Sequence, residues 1–131
     1  MARIVFGIFL VLHGFVHLLY AGQSLRLFEL QAGLIWPDGS WALSDILDNG
    51  TTRQLAAVLL VITAAGFLLG GTAVLLNQAW WRYAVVAAAA FSTLLYIALW
   101  DVTWRQLDAK GAVGILINLG IVVVAIFWGV A

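Results

Sequence analysis

Two histidines, His13 and His17, stand four residues apart in an otherwise apolar stretch, so on a helix they share one face. Tyr20 extends that face by a turn. Imidazoles so placed can ligate a metal ion or carry protons. The His-x-x-x-His spacing suits a metal, but two ligands do not complete a site, and a third would have to come from Glu29, Asp38 or Asp101. The competing reading keeps both rings neutral and hydrogen-bonded across helices to Ser92, Tyr96 or Asn118. Bis-imidazole haem ligation fits less well still, because two rings one turn apart on one face cannot clamp one iron. The cofactor is left unassigned.

The elements that must position these groups are set by hydropathy. Of the 131 residues, 65% are hydrophobic and only 9% charged. Mean hydropathy is +1.09. A soluble domain carries roughly 25% charged residues, so this chain has too little polar surface to wet a globule. Four stretches, at about 4–21, 55–76, 83–100 and 112–130, contain no Asp, Glu, Lys or Arg. Each approaches the roughly 20 apolar residues that cross a bilayer. The expected fold is all-α: an integral-membrane, up-down four-helix bundle forming one domain over residues 1–131. Met1-Ala2-Arg3 and the apolar run after it have the form of a signal peptide. The two histidines and a poor cleavage site at Leu19-Tyr20-Ala21 argue that the segment is retained.

Depth gives the polar residues a common address. At 1.5 Å per residue, His13, His17, Ser92, Tyr96 and Asn118 all fall roughly 6–13 Å from the side bearing the first and third loops. An intramembrane polar residue is costly and calls for a partner or a function. The expectation is a polar half-cavity lined by His13, His17, Tyr20, Ser92, Tyr96 and Asn118. Small residues mark where backbones can approach: Gly66-x-x-x-Gly70 in the second span and Gly114 in the fourth. This seam serves either packing within the bundle or a dimer face.

The first loop is long and partly helical in expectation. Trp36-Pro37-Asp38-Gly39 reads as a turn, and Ser40 as the cap of a short helix from Trp41 to Asp48, stopped by Asn49-Gly50. Thr51-Thr52-Arg53-Gln54 reads as a capping box opening the second span. The loop is either a lid over one end of the bundle or an amphipathic connector. A Lys/Arg count alone places the N-terminus outside. The four carboxylates of the first loop and the short Trp80-Trp81-Arg82 hairpin favour both termini in the cytoplasm, the orientation adopted.

His13-Gly14-Phe15-Val16-His17-Leu18 resembles the His-Gly-x-x-His-Leu opening of a group of small bacterial four-span membrane proteins of uncharacterised function. The likeness continues in Arg53, in Gly66 and Gly70, in Trp80-Trp81, in Ser92 before Trp100, and in Asp108-Ala109-Lys110-Gly111 followed by Asn118. Topology and the glycine-bearing second span also resemble, more loosely, the DoxX-like four-span proteins. The resemblance to the first group implies fold and topology; it supplies no reaction. The expected location is a bacterial inner membrane.

Several functions are excluded on chemistry. There is no cysteine for a thiol relay, no intramembrane carboxylate for coupled proton and cation exchange, and no glycine-rich phosphate loop. Net charge is zero, so nothing marks a nucleic-acid partner. The expected partners are the bilayer, other membrane subunits or a second copy. The leading reading is a non-enzymatic accessory or scaffold subunit, or a homo-oligomer. The alternative is binding or transport of a lipophilic molecule or metal ion at His13 and His17.

Overall fold

The computed structural model describes residues 1–129. Four α-helices account for most of them: α1, Ala2–Ser24; α2, Asn49–Leu75; α3, Trp81–Ala98; and α4, Ala112–Phe127. A short 3₁₀ helix, Leu107–Lys110, precedes α4, and no strand occurs among the described residues. Helices α1, α2 and α3 are long and apolar enough to cross a membrane. Helix α4 is apolar but has 16 residues, about 24 Å, short of the expected span 112–130; Val130 lies outside the described residues.

Helix boundaries depart from the apolar stretches because backbone hydrogen bonding does not stop at the edge of a hydropathic run. Helix α1 carries Gln23 and Ser24 past the expected end at residue 21. Helix α2 starts at Asn49, after Asp48 in extended conformation, so Asn49-Gly50 opens a helix instead of stopping one. Thr51 therefore lies inside α2, and its hydroxyl bonds the Asp48 carboxylate in place of a capping box. Helix α3 ends at Ala98, leaving Trp100 outside.

The helices pack through small residues. Helices α1 and α2 run antiparallel with their backbones nearly touching: a Cβ on Gly71 would lie 2.9 Å from the Gly7 carbonyl oxygen and 3.0 Å from the Val11 nitrogen. One on Gly14 would lie 3.1 Å from the Ala64 carbonyl oxygen. Gly70 faces Val85 of α3, Gly66 faces Ala88, and Gly114 of α4 faces the Tyr96 ring. At the far end, Phe6 of α1 stacks on Trp128 at 5.5 Å, and the Arg82 guanidinium donates to the Trp128 carbonyl.

The first loop contains turns but no helix from Trp41 to Asp48. Ser40 and Trp41 serve another helix. The Ser40 hydroxyl donates to the Ala98 carbonyl, the Trp41 indole to the Ile97 carbonyl at 2.6 Å, and the Trp41 amide to the Trp100 carbonyl at 2.9 Å. These carbonyls at and just beyond the end of α3 have no continuing helix to bond, so the loop satisfies them. Trp36 is fully buried, its ring 5.5 Å from Tyr20 and 6.2 Å from Tyr96. Buried Gln23 donates to the Leu34 and Trp36 carbonyls and accepts from the Leu30 amide. Asp38 takes both Arg26 and Arg53, the latter through two bonds of 2.6 Å. The first loop is thus tied to α1, α2 and α3.

Candidate functional site

Helices α1, α3 and α4 bring His13, His17, Ser92 and Asn118 into one buried cluster, each at most 4% exposed. His13 Nε2 lies 2.9 Å from Asn118 Oδ1, and Asn118 Nδ2 lies 2.9 Å from Ser92 Oγ. Ser92 Oγ lies 2.7 Å from His17 Nε2, and His17 Nδ1 lies 2.9 Å from the His13 carbonyl oxygen.

Donor and acceptor chemistry then sets the direction of every bond. A carbonyl only accepts, so His17 Nδ1 carries the hydrogen. In the neutral ring Nε2 is consequently an acceptor, and the Ser92 hydroxyl donates to it. Ser92 Oγ accepts from the Asn118 amide, whose oxygen accepts from His13 Nε2–H. With both rings neutral, the bonds run from the His13 ring through Asn118, Ser92 and His17 to the His13 backbone, a closed circuit. The second Asn118 hydrogen goes to Thr93 Oγ1 at 3.2 Å, and the Thr93 hydroxyl donates to the Ala89 carbonyl. Trp36 Nε1 and Thr52 Oγ1 are the buried side-chain polar atoms without a partner among the described residues. Neither belongs to the circuit.

The other two expected residues sit at the edge of the cluster. Tyr96 is 2% exposed, and its ring lies 5.7 Å from that of His17 and 5.2 Å from that of Tyr20. The Tyr20 hydroxyl donates to the Asp108 carbonyl at 3.3 Å, which links α1 to the third loop. On the other side Phe67 of α2 covers both imidazoles, 4.7 Å from His13 and 5.1 Å from His17. His13, His17, Ser92 and Asn118 thus bond one another, with Phe67 and Tyr96 packed against their rings.

A metal finds little support in this arrangement. Among the described residues no three His, Cys, Asp or Glu side chains come together to hold an ion. The three carboxylates considered as third ligands are engaged elsewhere. Glu29 accepts from the Gly33 amide, Asp38 pairs with Arg26 and Arg53, and Asp101 pairs with Lys110 at 2.8 Å. Both nitrogens of His17 are also committed.

Thr93, Phe67 and Gln23 also hold this end of the bundle together. Gln23 lies three residues beyond Tyr20, so a polar face continuing from His17 through Tyr20 signals it. Thr93 follows from counting, because an Asn amide has two hydrogens to place. Nothing local marks Phe67. Comparison of the chain with family models, curated proteins and solved structures gave no match.

Proposed function

We propose that this chain is a multi-pass integral membrane protein whose helices form an up-down four-span bundle in a single domain, and that it acts as a non-catalytic scaffold. It would serve as an accessory subunit or a homo-oligomer in a bacterial inner membrane. The inside-out distribution of polarity supports the membrane assignment. Outward-facing Val5, Leu12, Phe15, Val61, Leu69, Leu94, Leu116 and Val123 are exposed, while His13, His17, Ser92 and Asn118 are buried. In water so much exposed apolar surface would aggregate; in lipid it is the solvated face.

The observation that carries the scaffold reading is the closed hydrogen-bond circuit. His13 Nε2, Asn118, Ser92 and both ring nitrogens of His17 bond one another or the His13 backbone, joining α1, α3 and α4. In hydrocarbon, where apolar burial does not drive association, such bonds together with glycine contacts hold helices in register.

Two measurements test this reading. Single cysteines at Ala2 and Ala79 should label from one side of the membrane, and one at exposed Ile46 from the other. Labelling of positions 2 and 79 from opposite sides would defeat the topology. Native mass spectrometry from nanodiscs should show a multiple of the 14.2 kDa chain or a defined heteromeric complex. A monomer carrying a stoichiometric metal would replace the scaffold reading with metal binding at His13 and His17.

A further inference from the structure

Between α3 and α4, below the third loop, runs an open groove of about 320 Å³ lined almost entirely by apolar atoms. Ile97, Trp100, Trp104, Leu107 and Ile115 form its walls, with Tyr96 at its inner end. A second cavity of about 200 Å³ lies on the loop side, lined in part by Asp101, Thr103, Arg105 and Gln106. Lys110 belongs to the walls of both.

The two cavities differ in chemistry: the first is lined mainly by apolar residues of α3, α4 and the third loop, the second by polar and charged residues of the third loop with Gly33, Leu34 and Ile35 of the first loop. Lys110 is 6% exposed, and its ammonium is held by Asp101 and by the Thr103 hydroxyl at 2.7 Å. Its charge therefore cancels that of Asp101. Arg105 has no ion-pair partner among the described residues, so the charged side chains lining the polar cavity, Asp101, Lys110 and Arg105, sum to one positive charge. Trp104 is 77% exposed at the rim, and tryptophan favours the depth of lipid headgroups. An apolar slot opening beside a singly cationic, interfacial cavity matches an amphipath with one negative charge at its head.

We propose that these two cavities, which share Lys110 as a wall, together bind one anionic phospholipid, an acyl chain lying along Ile97 and Ile115 and the headgroup phosphate meeting Arg105. The inference rests on the membrane reading above. It leaves the histidine circuit untouched, since neither imidazole lines either cavity.

Native mass spectrometry of delipidated protein in detergent tests it, with phosphatidylglycerol and phosphatidylcholine of identical acyl chains supplied in equal amounts. One phosphatidylglycerol per chain should be retained, with a preference of about fivefold, the factor that one Arg or Lys gives near an anionic lipid surface. Arg105→Gln, at an exposed position, should abolish the preference at unchanged thermal stability. Ile115→Trp should fill the slot and remove both lipids. Equal retention of the two lipids by the native chain, which marks an annular contact only, would overturn the proposal. So would a preference that survives Arg105→Gln, or a dimer that Ile115→Trp dissociates. Release of the chain from vesicles by alkaline carbonate would overturn the membrane reading and this one with it. Loss of lipid preference in a chain that stays inserted would overturn this one alone.

Discussion

The hydroxyl of Ser92 sits 2.7 Å from Nε2 of His17, although 75 residues separate them in the chain. Ser92 is the only hydroxyl in the circuit, and it both accepts from Asn118 and donates to His17. It is therefore the link whose loss opens the circuit at two points. Ser92→Ala should destabilise the detergent-solubilised protein by about 0.6–2 kcal/mol, the range for interhelical hydrogen bonds in membranes. Equilibrium unfolding by denaturant measures it, and an unchanged midpoint would show that the circuit adds no stability.

The histidines should respond to substitution by shape and hydrogen-bonding capacity. His17→Gln places an amide where the ring was and can still donate and accept, so it should retain more stability than His17→Leu, which leaves Ser92 and the His13 carbonyl without that partner. His13→Asn should likewise be milder than His13→Leu. Elemental analysis of the purified native protein should find no stoichiometric metal. A chelator-sensitive metal lost in both conservative variants would assign the pair to ligation.

Glycine substitutions should separate by what a side chain would strike. At Gly71 a Cβ meets backbone atoms of α1, which cannot rotate away, so Gly71→Leu should prevent the native α1–α2 packing. At Gly66 the obstacle is the Ala88 methyl at 3.1 Å, and Gly66→Ala should cost far less. At Gly120 nothing lies within 4 Å, so Gly120→Ala should raise stability by up to about 1 kcal/mol through helix propensity. Melting temperatures should rise from Gly71→Leu through Gly66→Ala to Gly120→Ala.

Asp101 makes the third loop sensitive to acid. Burial pushes its carboxyl upward, but bonds from Lys110 and from the Thr103 amide and hydroxyl outweigh this and hold it below its ordinary range. A carboxylate so lowered adds stability above the unfolded value, about 3.9. That stability is lost as pH falls through the lower folded value. Melting temperature should fall below about pH 4 in the native chain. Asp101→Asn strands the buried Lys110 ammonium, and should lose about 3 kcal/mol at neutral pH while flattening this acid limb. An equally steep acid limb in the variant would place the sensitivity elsewhere.

The sequence by itself determined the helical character, the approximate position of each apolar segment and the shared face of His13 and His17. Backbone groups in an apolar stretch must bond within their own helix, and four-residue spacing places side chains on one side whatever the surroundings. Matched depth also singled out Ser92 and Asn118 as available partners. Only the tertiary structure decided which atoms meet. The circuit depends on how α1, α3 and α4 rotate about their axes, and its members lie up to 105 residues apart. The same holds for Ser40, a plausible helix cap by local pattern, whose hydroxyl instead serves Ala98. The Gly7–Gly71 contact was hidden for a related reason: a lone glycine in an apolar run acquires meaning only when another helix crosses at that height. Lys110 reads locally as a solvated loop charge, and its burial follows from Asp101, nine residues away, being folded against it.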